Sequence, residues 1–176
     1  AGCGSYSKIE GFGFIPVTCF SQALTTFIGQ NLGAKEYDRT KKGALFGTIC
    51  GIGIAEVIGI AVFFFSPYLI AAFGGDQKAI EYGIAEAHTI ALFYCLLAFS
   101  HCMAAIQRGA GRSIVPMFVM MIVWCGVRVT YISIVIRIIP VINVIYWAYP
   151  LTWFISSVIF LILFLKTDWI HGLEKQ

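Results

Sequence analysis

Three ionisable side chains interrupt long apolar stretches of this chain, where a charge is costly unless it has a function. Glu10 and Glu56 are carboxylates, which can take up a proton or hold a cation, and Arg128 is followed by Tyr131 close to one helical turn later. A carboxylate in apolar surroundings can exchange a proton near neutral pH, because those surroundings disfavour its charged form. These residues therefore predict reversible binding of a proton or cation, with Glu10 and Glu56 as the first candidates.

Each of these side chains also has a structural interpretation. Glu10 could be an interfacial residue paired with Lys8, and Glu56 could make a structural hydrogen bond. Arg128 could extend to the membrane interface, or it could form a salt bridge with Glu10 or Glu86. Both interpretations stay open for each residue at the level of sequence.

The stretch that carries Glu10 has a polar strip. Ser21 follows Glu10 by eleven residues, which is about three helical turns, so both lie on nearly the same face. Pro16 lies between them and predicts a kink. The other polar residues of the strip are Thr18, Gln22 and Thr25. A kinked helix with a polar face suits a central cavity, so Ser21, Gln22 and Thr25 are candidate cavity residues.

Two histidines, His88 and His101, lie in the third apolar stretch. A buried neutral imidazole with one hydrogen bond and a protonation switch are both open interpretations, and His101 is a further candidate cavity residue. No second-ligand pattern accompanies them, so no metal site is predicted. The chain contains no HExxH, P-loop or GxSxG motif, which argues against an enzyme.

The composition indicates a membrane protein. The 176 residues are 59% hydrophobic and 12% charged, with a mean hydropathy of +0.85, whereas soluble domains carry about 25% charged residues. The net charge of +3 is small, and it predicts membrane topology rather than nucleic-acid binding. The six cysteines show no CxxC spacing and mostly lie in apolar runs, so we interpret them as small apolar residues.

Five apolar stretches are long enough to span a bilayer, which requires about 20 residues each. The fold class predicted is therefore all-α, a polytopic membrane helix bundle with about five transmembrane helices. The predicted helices cover residues 9–30, 43–68, 82–107, 114–139 and 145–166. A ladder of small residues on the second helix predicts close packing, and Glu56 borders it: Gly43, Gly47, Gly51, Ala55 and Gly59.

Basic residues orient these helices. They concentrate in the first and third connections and at the C-terminus: Lys35, Arg39, Lys41, Lys42, Arg108, Arg112, Lys166 and Lys175. Because basic loops face the cytoplasm, we expect the C-terminus to be cytoplasmic and the N-terminus of the chain to lie outside. Turn signals mark Gly74–Gly75 between the second and third helices, and an outer aromatic belt is predicted on the fifth: Tyr146, Trp147, Tyr149 and Trp153.

The amino-acid sequences of the basic connections resemble those of a known family. FIGQNLGAKEYDRTKKG follows the first helix, AAIQRGAGRSIVPM follows the third, and SKIEGFGFIP and WCGVRVTY occur in the matching order. Together these segments resemble the MATE family of multidrug and toxic-compound extrusion transporters, bacterial members especially. The cytoplasmic loop motif comprises Gly29, Gln30, Asn31, Gly33, Arg39, Arg108, Gly109 and Gly111.

The resemblance implies twelve helices in two lobes, of which residues 1–176 would be helices eight to twelve, a partial C-terminal lobe of a longer protein. It implies an antiporter of the cell (inner or plasma) membrane that exports amphipathic, cationic compounds by alternating access. The expected coupling ion is a proton or sodium, with no other cofactor. The expected partners are organic cations, the bilayer and the N-terminal lobe of the same protein, with no nucleic acid. Leu96–Leu97 stand near the place where some members carry an aspartate, which disfavours a sodium site of that kind.

Two other functions are compatible with a bundle of this kind. A flippase for lipid-linked oligosaccharides would need a more cationic cavity to hold pyrophosphate, and Arg128 alone lies well inside a predicted helix. A membrane scaffold subunit complete at five spans is the alternative outside transport. On its own the chain is not expected to transport, because a cavity between two lobes needs walls from both.

Overall fold

The computed structural model describes residues 2–72, 77–139 and 141–170, and these residues are almost entirely helical. The predicted turn at Gly74–Gly75 and the C-terminal Lys175 lie outside them. The helices are α1 (Gly2–Gly33), α2 (Tyr37–Ala72), α3 (Gln77–Ala91), α4 (Tyr94–Gly109), α5 (Ile114–Met120), a π-helical segment (Met121–Val127), α6 (Arg128–Ile138) and α7 (Asn143–Lys166).

The helix lengths confirm an all-α polytopic membrane bundle. Four helical stretches in the described residues are long and apolar enough to cross a bilayer, and α3 with α4 makes a fifth if this bent pair counts as one span. The π-helical segment joins α5 to α6, so that Ile114–Ile138 forms one of the four. The other three are Tyr6–Gly33, Tyr37–Ala72 and Asn143–Lys166.

The third span departs from the expected continuous helix. It runs from Gln77 to Gly109, but it breaks between Ala91 and Tyr94 and bends there by 55°. A turn bond from the Phe93 amide to the Ile90 carbonyl, 3.0 Å long, closes the break. No proline or glycine stands at this position in the sequence, so the local signal that normally marks a kink is missing.

The first connection is much shorter than the sequence predicts. The predicted helices 9–30 and 43–68 leave residues 31–42 as a loop, but α1 continues to Gly33 and α2 begins at Tyr37. Lys35 turns the chain with φ at 60°, in the left-handed region, and the Glu36 amide donates to the Asn31 carbonyl at 2.9 Å. Most of the basic segment FIGQNLGAKEYDRTKKG is therefore helical. Helix α1 also passes through Pro16 without an interruption.

Helices α1, α2 and α4 pack on one another, and α7 packs against α4. Two apolar clusters fill the bundle. One, at the end where α1 finishes and α2 begins, includes Leu24, Ile28, Ile106 and Phe160. The other, towards the opposite end, includes Tyr6, Ala55, Ile90 and Trp153. The first, third and C-terminal basic segments thus lie at one end, which we call the basic end.

Candidate functional site

A cavity of about 270 Å³ lies between α1, the π-helical segment, α6 and α7. Its walls combine one carboxylate, one guanidinium and several aromatic rings, and we call it the aromatic cavity. The residues that matter for its chemistry are Glu10, Phe14, Trp124, Arg128, Tyr149 and Trp153. The cavity brings together two of the predicted ion-coupling candidates, Glu10 and Arg128.

Arg128 is held inside this cavity by α7. Its Nη2 donates a hydrogen bond to Thr152 Oγ1 at 2.8 Å. Its guanidinium carbon lies 4.2 Å from the centre of the Tyr149 ring and 5.9 Å from that of Trp124, both within the range of cation–π attraction. The described hydrogen bond of Arg128 thus goes to a hydroxyl, not to a carboxylate of Glu10 or Glu86.

Glu10 lines the cavity from α1 and is half-buried. Its carboxylate interacts electrostatically with Arg128 and with Glu86, which is buried on α3. Glu10 on α1 is therefore influenced by an acidic group on α3 and a basic group on α6. Because a carboxylate repels its like neighbour, this arrangement favours a cation or a proton between the helices.

A second layer of polar residues supports the rings. Ser100 Oγ lies 2.9 Å from Ser156 Oγ and 3.0 Å from Ser157 Oγ. Trp124 donates from Nε1 to Ser156 Oγ at 3.3 Å. The serine cluster thus ties α4 to α7 and fixes the indole of Trp124 at the cavity wall.

His101 lies behind the same wall. Its ring contacts Phe14 and Trp124 edge-on, with centroid distances of 5.0 and 5.4 Å. Its Nε2 is buried and has no hydrogen-bond partner among the described residues. His88 differs, because its Nε2 lies 3.0 Å from the Phe63 carbonyl and its ring stacks on Phe63.

Several cavity residues were missed by sequence reasoning. The sequence pattern places Tyr149 and Trp153 in an outer aromatic belt, but both line the cavity. It gives no sign of the Ser100, Ser156 and Ser157 cluster behind the cavity wall. The available signal was the four-residue spacing of 149/153 and of 152/156, which places each pair on one face of α7.

Other predicted site residues lie elsewhere. Ser21 and Thr25 bond to backbone, Ser21 Oγ to the Thr18 carbonyl at 2.9 Å and Thr25 Oγ1 to the Ala105 carbonyl at 3.2 Å. Gln22 is exposed. Tyr131 lines a separate groove on α6, together with Thr130 and Ile134. These four side chains are therefore not brought to the aromatic cavity.

Glu56 forms a second, separate polar site on α2. Its side chain lies near that of Cys95, just after the break in the third span. Its Oε2 is buried and, in the described part of the chain, makes no hydrogen bond. No group of three or more His, Cys, Asp or Glu side chains that could hold a metal ion forms within the described ranges.

The loop motif acts in packing at the basic end. A side chain at Gly109 would meet the Thr25 carbonyl and Ile28 Cβ, each at 2.7 Å, and one at Gly29 would come within 3.5 Å of the Gly109 carbonyl. The ends of α1 and α4 therefore approach each other backbone to backbone. Gly111 follows with φ at 80°, a conformation that favours glycine.

The polar members of the motif make local contacts. Asn31 Nδ2 donates to the Phe27 carbonyl at 2.7 Å, and Arg39 lies over the Phe27 ring at 5.9 Å. Gln30 and Gly33 are exposed, and Arg108 is half-buried. The neighbouring Arg112 donates from Nη2 to the Asp168 carbonyl at 2.9 Å, so it binds the segment that follows α7.

Comparison with known proteins gives two findings. Residues 1–132 match the family model MatE. Over 118 residues the chain is 29% identical to a protein of Thermotoga maritima described as "Probable multidrug resistance protein NorM". The alignment covers 66% of this chain and 25% of that relative, so the matched part spans about a quarter of the relative's length.

Proposed function

Because the chain belongs to the MatE family of multidrug and toxic-compound efflux transporters, we propose that it forms part of an antiporter that exports amphipathic organic cations. The members of this family are membrane transporters, not enzymes. In this proposal the driving ion is a proton or sodium, and no further cofactor takes part.

The observation that carries the proposal is the pairing of Glu10 with aromatic rings in one cavity. Flat organic cations bind to aromatic faces by stacking and cation–π attraction, and they do so more strongly where water is excluded. Glu10 adds a negative charge on the wall that faces these rings. The cavity thus has the chemistry that a lipophilic cation requires, at a size of about 270 Å³ on this side alone.

Exchange would follow from competition at Glu10. A deprotonated carboxylate attracts the organic cation, whereas protonation or sodium binding neutralises that charge and releases the cation. Glu86 lies within electrostatic range of Glu10. Repulsion between the two carboxylates would favour the binding of one proton or cation at Glu10. Glu56, which lies near Cys95 in another part of the bundle, is the second candidate for coupling.

In the complete transporter, this chain would form helices eight to twelve of twelve, facing an N-terminal lobe of the same protein. Rocking of the two lobes would expose the cavity to each side of the membrane in turn. The exposed Lys35, Lys41 and Lys42 at the basic end support a cytoplasmic position for that end and for the C-terminus. The cell membrane, inner or plasma, is the expected location.

A transport assay with the protein expressed from its complete gene tests this function. The protein is reconstituted into proteoliposomes, and tetraphenylphosphonium movement is followed with proton and sodium gradients applied separately. We expect wild type to respond to one gradient, and Glu10→Gln to lose the gradient-driven movement while its expression is preserved.

Glu81→Gln is the matched control, since Glu81 is an exposed carboxylate at the start of α3. It should transport like wild type. Gradient-driven movement that is unchanged in Glu10→Gln would exclude Glu10 as the coupling residue, and Glu56→Gln in the same assay then tests the second candidate. Absence of tetraphenylphosphonium movement in the wild type under both gradients would contradict export of such cations.

A further inference from the structure

We propose that Arg128 is a tethered cation that occupies the aromatic seat of the cavity, so that an organic cation binds there only by displacing the guanidinium. Here the aromatic seat means the faces of Tyr149 and Trp124. This inference rests on the proposed function, and it makes Arg128 a residue that sets affinity and specificity.

The seat is already filled by the chain's own charge. The guanidinium carbon lies 4.2 Å from the Tyr149 centroid and 5.9 Å from that of Trp124. Favourable cation–π pairs have distances up to about 6 Å. Both rings line the cavity, so a free cation that stacks on the same face of Tyr149 must take the place of Arg128.

The hold on Arg128 is incomplete. A guanidinium has five donors in its fork, yet the Nε of Arg128 is buried without a hydrogen-bond partner in the part of the chain that the structure describes. Burial of an unmet donor is unfavourable. The seated arginine is therefore less stable than a fully bonded one, and a competitor needs less affinity to replace it.

Release of Arg128 leaves no orphaned donor on α7. Thr152 Oγ1 lies 3.0 Å from the carbonyls of both Ala148 and Tyr149, to which its hydroxyl can donate. Thr152 needs no hydrogen bond from Arg128 to satisfy its own donor. Two cations, one tethered and one free, can therefore compete for the Tyr149 ring and for the negative charge of Glu10.

The competition predicts that only cations able to stack better than a guanidinium will bind. Large aromatic cations meet that condition, because they offer more apolar area to the four rings of the cavity wall, Phe14, Trp124, Tyr149 and Trp153. Small hydrated cations do not. Arg128 would thereby exclude ordinary cellular amines from the site.

Binding of two probes of nearly equal size and opposite charge tests this proposal. Tetraphenylphosphonium and tetraphenylborate are titrated separately into the protein purified from its complete gene. The variant Arg128→Met keeps the length of the side chain and removes its charge. Arg137→Met is the matched control, because Arg137 is exposed in the last turn of the same helix, α6.

We expect Arg128→Met to bind tetraphenylphosphonium about tenfold more tightly than wild type, and to bind tetraphenylborate more weakly. Arg137→Met should stay within about twofold of wild type for both probes. Arg128→Lys, which keeps the charge but not the planar guanidinium, should lie between wild type and Arg128→Met for both probes. Arg128→Gln is also neutral but keeps a hydrogen-bond donor for Thr152. If Arg128→Met does not fold, Arg128→Gln replaces it in the test, with the same expected result.

Equal or weaker tetraphenylphosphonium binding in the neutral Arg128 variants, with wild-type binding intact, would overturn the tethered cation and leave the proposed function in place. Absence of tetraphenylphosphonium binding in every protein, wild type included, would overturn both. Tighter binding of both probes in Arg128→Met would also overturn the proposal, because it would indicate a gain of space instead of the removal of a competing charge.

Discussion

Gly59 of α2 and Ala91 of α3 meet backbone to backbone: a Cβ placed on Gly59 would lie 2.5 Å from the Ala91 carbonyl oxygen and 3.4 Å from Tyr94 Cβ. This contact falls where the third span breaks and bends by 55°. The bend brings the end of α3 against α2, and only a residue without a side chain leaves enough space. Gly59 therefore fixes the position of the break relative to α2.

Gly59→Ala should destabilise the bundle. Its methyl group would press on backbone, which cannot move aside as a flexible side chain can, so we expect a loss of about 1–3 kcal/mol. Thermal unfolding in detergent measures it. The matched control is Gly53→Ala on the same helix, where a Cβ would meet nothing within 4 Å among the described residues. This control should be neutral or more stable by up to about 1 kcal/mol. Equal melting temperatures for Gly59→Ala and wild type would contradict the contact.

Gly109→Ala should separate the ends of α1 and α4. The added Cβ would lie 2.7 Å from the Thr25 carbonyl, and a shift would also strain the bond from Thr25 Oγ1 to the Ala105 carbonyl. We expect a loss of stability of about 1–3 kcal/mol, measured by thermal unfolding. Gly33→Ala at the end of α1 is the control, because its Cβ would enter open space within the described structure. Similar losses in both variants would show that the close approach is not the cause.

Acidification should weaken the binding of tetraphenylphosphonium to wild type. Protonation of Glu10 removes the negative charge from the aromatic cavity, so affinity falls as pH falls, by about fivefold if one partly screened charge is lost. Titrations across a pH series check this. Glu10→Gln should bind with one weak affinity at every pH, whereas Glu56→Gln should keep the wild-type dependence. A pH dependence that persists in Glu10→Gln and vanishes in Glu56→Gln would assign the titrating group to Glu56.

The basic end should be reached by labels only from the cytoplasm. Single cysteines at Lys42 and Ser113, both exposed at that end, are introduced after the native cysteines are replaced. A membrane-impermeant maleimide should label them in inverted vesicles and not in intact cells. A cysteine at the exposed Asn143, which begins α7 at the other end, should show the opposite pattern. Labelling of Lys42→Cys in intact cells would contradict the proposed cytoplasmic position of the basic end.

The number and helical character of the spans could be predicted from the sequence, because both depend on local composition. Apolar length selects the spans, and the four-residue spacing of Gly47, Gly51, Ala55 and Gly59 predicts a close-packing face. In the structure, Gly51 meets Phe20 and Cys102, and Gly59 meets Ala91. That face does pack against α1 and the third span.

The break in the third span and the composition of the aromatic cavity could not be predicted in this way. The break depends on the fit between Ala91 and Gly59, which are distant in sequence, and no local residue marks it. The cavity depends on which face of α7 turns inward. Tyr149 and Trp153 carry the same residue types as an interfacial belt, so only tertiary packing distinguishes the two positions.

The π-helical segment Met121–Val127 sets the rotation of α6 about the helix axis relative to α5. Each of its turns holds about one residue more than an α-helical turn, so the segment resets the direction in which everything after it faces. Trp124 thereby reaches Ser156 while Arg128 reaches Thr152, two contacts that run antiparallel along α7. In a chain that kept an ordinary α-helix through these same residues, α6 would be turned by about 100° and the guanidinium would leave the cavity. In such a chain every cavity residue would still be present, and the side chains would no longer meet.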